Sequence, residues 1–196
     1  MDMIFDFETL STDRVNGVVL SLAILVYDET RFNEKQQYSY TELLEGSRFI
    51  KFNVEDQVKN YGRKIDPDTL KWWGEQSKEA QASQLAPSPR DQPLNEIINF
   101  INKHTSHCSL RRVYSRGNTF DNVFLDYIAQ QVGQPVPWPH YIVRDTRTLI
   151  EGMSYGSGLS CSYVPEGLES MFVPHDPQHD IVMDVMRIQT LAIALG

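Results

Sequence analysis

Cysteine, basic charge and long apolar runs are what this sequence has little of. Cys108 and Cys161 stand alone with no Cys-x-x-Cys spacing, so neither a disulfide framework nor a cysteine zinc site is expected. Eighteen Lys and Arg face 26 Asp and Glu, a formal net charge of −8. Binding along long stretches of nucleic acid relies on basic side chains and the counterions they release, which excludes a coating protein but not one that grips a few nucleotides. No apolar run approaches the ~20 residues that cross a bilayer, and no basic segment with an apolar core precedes Met3. A cytoplasmic, unsecreted chain with reduced thiols and no membrane partner is therefore expected. With 196 residues and 41% hydrophobic composition the chain can bury one core, and residues 1–196 read as a single domain. A homo-oligomer stays open.

What is present is a clear order of elements. Residues Met3 to Glu8 alternate, and Val18 to Tyr27 is a nearly continuous apolar run, which predicts two adjacent strands; a third is expected over Arg48 to Val54. Asp66-Pro67 pairs a capping residue with proline at the first helical position and starts a helix that carries Trp72 and Trp73 to about Gln76. Leu94 to His104 has helical spacing, Arg112 to Ser115 is a short strand, and Phe120, Phe124, Ile128 and Val132 predict an amphipathic helix with Asn118 or Thr119 as N-cap and Gly133 as its stop. Tyr141 to Asp145 is a further strand, Gly152 to Gly167 a Gly- and Ser-rich loop, and His179 to Leu195 a last helix. Strands first, then strands alternating with helices, predict an α/β mixed sheet covered by helices.

Three groups of residues carry chemistry. Asp6 and Glu8 are two apart on a strand, so they share one face while Met3, Phe5 and Phe7 take the other. Two acids crowded this way repel unless a divalent cation accepts them. With 14 Asp and 12 Glu in the chain, about one Asp-x-Glu arises by chance, so the motif alone decides little. Asp121 opens a helix, where the plainer role of an acid is to meet the macrodipole, contributing roughly 0.3 to 1 kcal/mol. Asp180 closes the run His175-Asp176-Pro177-Gln178-His179-Asp180 and can also be a capping acid, with Asp176 capping a preceding turn. A zinc pair of His175 and His179 is the competing use of that run, opposed by Pro177 between them and by the lack of a His-Glu-x-x-His motif.

Taken in order, Asp6-Phe7-Glu8-Thr9, Phe120-Asp121, and His175 five residues before Asp180 resemble the three motifs of the DEDDh 3′–5′ exonuclease superfamily. Trp72-Trp73-Gly74-Glu75-Gln76-Ser77-Lys78-Glu79-Ala80, Arg116-Gly117-Asn118-Thr119-Phe120-Asp121 and Arg144-Asp145-Thr146-Arg147-Thr148 are similar to segments of its phage exonuclease A branch and related bacterial exoribonucleases. The likeness runs from Met3 to about Asp184; the loop over Gly152 to Gly167 has no counterpart in the pattern. It implies an RNase H-like fold, a five-stranded mixed sheet with helices on both faces. It implies two divalent cations, Mg²⁺ or Mn²⁺, held by Asp6, Glu8, Asp121 and Asp180, with His175 as general base on a loop over the scissile phosphate. Thr9, Leu10, Asn118 and Phe120 match positions that support the substrate.

The implied reaction removes nucleoside 5′-monophosphates from the 3′ end of single-stranded DNA or RNA. Such hydrolysis needs a hydroxide nucleophile at neutral pH and relief of charge on the leaving 3′ oxygen, and a pair of cations supplies both. Oxygen-only ligation favours Mg²⁺ or Mn²⁺ over zinc, and a histidine with a pKa of ~6.5 can take a proton at cellular pH. Arg111, Arg112, Arg116, Arg144 and Arg147 are candidates for phosphate contact or for plain solvated charge. Of Trp72 and Trp73, which could stack on bases, at least one is expected in the core. A binding module that keeps the fold without turnover and a hydrolase of small nucleotides are the competing functions.

Overall fold

A computed structural model describes residues 1–196. Strands β1 (Asp2–Thr9) and β2 (Val19–Tyr27) pair antiparallel, with Phe7 opposite Leu22 and Glu8 opposite Ser21. Strand β3 (Arg48–Lys51) extends the sheet antiparallel beside β2, and β4 (Arg112–Ser115) and β5 (Val143–Asp145) extend it parallel on the other side of β1. The order β3-β2-β1-β4-β5 makes the expected five-stranded mixed sheet. Its helices are α1 (Tyr40–Gly46), α2 (Val54–Tyr61), α3 (Pro67–Gly74), α4 (Lys78–Leu85), α5 (Ile97–Thr105), α6 (Asp121–Val132), α7 (Thr146–Met153) and α8 (Pro177–Leu195). None is long and apolar enough to cross a membrane.

The period of two along each strand sorts side chains onto two faces. Met3, Phe5, Phe7, Leu22 and Val113 enter one core with Ile97, Ile98 and Ile101 of α5 and Phe124, Leu125 and Ile128 of α6. Ile4, Ala23, Leu25 and Tyr114 enter a second core with Tyr40 and Leu43 of α1 and Ile181, Val182 and Val185 of α8. Helices therefore cover both faces. Asp6 and Glu8 continue the row of Ile4, toward the side occupied by α8.

Several boundaries differ from those expected from sequence, each for a local reason. The third strand ends at Lys51 because the Asn53 side chain accepts the Asp56 amide and starts α2. Neither Asn118 nor Thr119 caps α6: Phe120 holds the cap position with no side-chain bond, and the Asn118 side-chain oxygen that a cap would offer accepts the Asn122 side chain at 3.3 Å, while its backbone N–H donates to the Asp145 carboxylate at 2.9 Å. Residues His140–Ile142 form a 3-10 turn, which shortens the fifth strand to Val143–Asp145. The final helix begins at Pro177 rather than His179, and Asp176 caps that helix itself by accepting the Gln178 amide. The Gly- and Ser-rich loop begins only after α7 ends at Met153.

The turn between β1 and β2 is fastened to the segment that leads into α3. Trp73 is fully buried and its indole donates to the Thr9 carbonyl at 2.8 Å, while the Asp66 amide donates to the Leu10 carbonyl. The buried Arg63 donates Nε to the Gly17 carbonyl at 2.6 Å and Nη1 to Gln131 of α6. Gly17 is needed here for closeness: an added Cβ would lie 2.5 Å from the Asp13 carbonyl oxygen and 2.8 Å from the Ser11 Cβ. Gly17→Ala is therefore expected to lower unfolding free energy by about 1 to 3 kcal/mol, the usual cost of overpacking. Urea unfolding measures it, and a loss under about 0.3 kcal/mol would show that the turn has room to relax.

Candidate active site

The site forms where the sheet opens. Strand β4 pairs with β1 only over Asp2 to Ile4, so farther along β1 the amide of Phe7 has no strand partner on that side. Asp121, in the first turn of α6, takes it: Oδ1 accepts the Phe7 amide at 3.2 Å. The carboxylate of α6 is thereby drawn to the backbone between Asp6 and Glu8. Open α/β sheets bind ligands beyond the carboxyl ends of their parallel strands, and Glu8, Ser115 and Asp145 all stand at such ends.

Helix α8 brings the fourth acid. Asp180 sits in its first turn, and Oδ2 accepts the amide of His175 at 3.0 Å. His175 holds a left-handed backbone, φ 63°, uncommon for a residue with a Cβ and costing on the order of 1 kcal/mol. Its ring packs edge-on against Trp72 of α3, with centroids 4.8 Å apart. Ligand atoms of Glu8, His175 and Asp180 lie within 4.8 Å of one another. His179 is turned away, with Nδ1 2.8 Å from the Tyr40 hydroxyl, so the two histidines do not form a pair.

Burial and mutual repulsion shape the charge states. Asp6 is held well above the ordinary carboxylate range by burial first, then by Asp121, Glu8 and Asp180; Glu8 is raised likewise by burial, then by Asp180 and Asp121. Asp121 is pushed up to about 7 by burial, against the pull of the Phe7 amide. Asp180 is also pushed up to about 7, by burial and then Asp184, opposed by the His175 amide and Arg187. Burial lowers the His175 imidazole, which favours its neutral, proton-accepting form. No protein donor satisfies the Asp6 or Glu8 side chain. Clustered oxygen ligands that repel one another and lack donors suit hard divalent cations; the neighbouring imidazole adds a nitrogen that zinc also accepts.

A cleft of about 580 Å³ opens beside the acids, walled by Glu8, Thr9, Thr12, Thr69, Trp72 and Phe120. Thr9 and Phe120 thus face it, whereas Leu10 is 5% exposed and packs with Trp73 and Val18, and Asn118 is held by Asp145 and Asn122. A cavity of about 660 Å³ between β3 and α5 contains none of these acids. Most of the arginines are engaged elsewhere. Arg111 and Arg112 pair with Glu29 and lie beside Asp2, at the other end of β1 from Glu8. Arg144 donates to the carbonyls of Tyr141 and Val143. Arg116 and Arg187 both grip Asp184. Asp184 is a site neighbour that the motifs do not single out, although it lies four residues after Asp180, the spacing that puts two helical side chains on one face.

A family model described as the 3′–5′ exoribonuclease Rv2179c-like domain matches residues 1–170. An exodeoxyribonuclease of enterobacteria phage T4 is 26% identical over 213 residues, covering 100% of this chain and 91% of the relative. A solved structure of exonuclease I is similar with a TM-score of 0.62 at 13% identity, and the zinc-bound form of the E. coli exonuclease I complex with single-stranded DNA with 0.60 at 14%. Each match covers 97% of this chain and 40% of the other, so the chain spans well under half the length of those exonucleases. At that identity the likeness is one of fold.

The raised carboxyls make a pH prediction for the metal-free protein. An acid that binds its proton more tightly folded than unfolded stabilises the fold below its unfolded pKa, and that contribution is lost as the pH rises through the folded value. For Asp121 and Asp180 the window runs from the ordinary 3.8 to about 7. Thermal unfolding in EDTA is therefore expected to show the wild type losing stability across that window relative to an Asp121→Asn, Asp180→Asn variant. A wild type that gained on the variant as the pH rose would contradict raised carboxyls at these two positions.

Proposed function

The chain belongs to the Rv2179c-like 3′–5′ exoribonuclease domain family, and on that premise we propose that it hydrolyses single-stranded DNA or RNA from the 3′ end, releasing nucleoside 5′-monophosphates. The observation that carries this reading is the convergence of Asp6, Glu8, Asp121 and Asp180 beside His175 at one end of the sheet. Residues 1–196 act as one domain, with α8 completing the site beyond the matched segment.

Two divalent cations, Mg²⁺ or Mn²⁺, would be held by Asp6, Glu8 and Asp180 and by Asp6 and Asp121; when bound they supply Lewis acidity toward water and the scissile phosphate. The chain's own residues supply orientation and proton transfer. His175, whose half-buried position favours the neutral imidazole, accepts the proton of the attacking water. The hydrogen bond its backbone N–H donates to Asp180 and its contact with Trp72 fix where the imidazole points, which matters because general base catalysis requires hydrogen-bond reach. Thr9 and Phe120 form the wall against which the terminal nucleotide rests, and Leu10 supports Thr9 from the packed side.

The matched names differ in sugar: the family is named for exoribonuclease activity and the phage relative for exodeoxyribonuclease activity. Matched 5′-labelled RNA and DNA oligonucleotides distinguish the two, and free nucleotides as substrates test the small-molecule alternative.

With Mg²⁺ or Mn²⁺, a labelled strand should shorten from its 3′ end, and Asp6→Asn or Asp121→Asn should abolish this while circular dichroism shows the fold intact. His175→Ala should lower kcat by roughly 10² to 10⁴ with little change in KM. His179→Ala should cost far less, because that ring faces Tyr40. Full activity in excess EDTA, or a larger loss for His179→Ala than for His175→Ala, would overturn the assignment.

A further inference from the structure

The acid cluster has a cationic neighbour that the mechanism leaves unused. Arg116, the first residue after β4, directs Nη1 to Asp184 Oδ1 at 2.5 Å. Its Nη2 donates to the Ser162 hydroxyl at 2.8 Å and the Cys161 carbonyl at 3.0 Å. Asp184 is 1% exposed and also accepts Arg187 Nη1 at 2.7 Å and the Thr146 hydroxyl at 2.5 Å. A small cavity bordered by Asp6, Arg116, Asp180 and Asp184 joins this network to the acids.

Charge does not balance inside the network. Two guanidinium groups meet one carboxylate, leaving a net positive charge one helical turn from Asp180. A tie that served packing alone would need one cation for its one anion, and a buried ion pair is weak evidence for stability in any case. The surplus cation instead faces a group of carboxylates that otherwise repel. Other cations act on the cluster from neighbouring elements: Arg187 on Asp180 and Arg147 on Asp121. Arg116 differs from them in bordering the same cavity as Asp6 and Asp180.

Resting on the metal-binding reading of the site, we infer that Arg116 and Asp184 set the charge balance of the acid cluster, Arg116 lowering and Asp184 raising its affinity for divalent cations. Both are positioning residues and not ligands. One unit of charge about one helical turn, ~6 Å, from a divalent ion changes its affinity roughly tenfold even in a water-like dielectric.

Manganese titration calorimetry on the full chain, at fixed pH and salt, tests the inference without reading activity. Arg116→Gln should bind Mn²⁺ about tenfold more tightly than wild type, and Asp184→Asn about tenfold more weakly. Arg116→Lys keeps the charge and should stay within about twofold of wild type, which separates charge from shape. Ser162→Asp puts a negative charge on Arg116 from an exposed loop without disturbing the buried pair, and it should also tighten binding. Higher salt should compress all these differences. Wild-type binding with no tightening in Ser162→Asp, or with equal or weaker binding in a folded Arg116→Gln, would overturn the inference whether or not every variant folds. A wild type that binds no Mn²⁺ would instead remove the metal-binding reading, and this inference with it.

Discussion

Four carboxylates crowded where water is scarce and donors are few set the terms for everything around them. Like charges at close range in a low dielectric drive one another toward protonation. In this protein the repulsion is relieved only in part. Asp121 rests on the Phe7 amide and Asp180 on the His175 amide, while Asp6 and Glu8 have no protein donor at all. The arrangement survives because most of the stability comes from elsewhere, from two apolar cores separated by the sheet. Its alternation is also what places the acids: the residues that fill one core and the acids that leave the other face open are consecutive along β1.

The surroundings hold this cluster from three directions. From the α3 side, adjacent tryptophans do different work: Trp73 fixes the Thr9 carbonyl just past Glu8, and Trp72 packs against the His175 ring. From the α4 side, the Ser83 hydroxyl donates to Asp176, the residue that caps α8. From the α7 side, Arg116 and Arg187 bind backbone oxygens of residues 161 to 163, tethering the Gly- and Ser-rich loop to Asp184. That loop, which the three short motifs leave unassigned, lies within the residues that the family model matches and is a support of the site.

Much of this is legible in the sequence, and the reasons are physical. Strand β1 alternates between two cores and helix α6 repeats about every fourth residue, so the shared face of Asp6 and Glu8 and the place of Asp121 in the first turn of α6 follow directly. The expectation that at least one of Trp72 and Trp73 is in the core is met by Trp73, which is fully buried, while Trp72 is exposed. Helices α1, α2, α4 and α7 have seven or eight residues each, too few for apolar spacing alone to mark them, and their signal lies in the caps: Ser39, Asn53, Ser77 and Asp145 each accept an amide of the first turn. The cap of α6 differs from the expected one because a polar residue ahead of a helix is taken to serve that helix, whereas the Asn118 side chain bonds Asn122 and its backbone N–H is held by Asp145 of β5. Contacts of that kind depend on which chain ends meet, and no local pattern encodes them. Asp184 is legible in the same way as Asp180, because a spacing of four places both on one face of α8.

On this reading the four acids, and not the two histidines, gather the cations for 3′-end hydrolysis. Anomalous diffraction from crystals soaked with Mn²⁺ and a short single-stranded oligonucleotide tests it at the atoms concerned. Two manganese peaks are expected at the scissile phosphate, one against Asp6, Glu8 and Asp180 and the other against Asp6 and Asp121, with the His175 ring turned toward the same phosphate. Manganese bound between His175 and His179, or no manganese at these carboxylates while the oligonucleotide occupies the cleft, would contradict it.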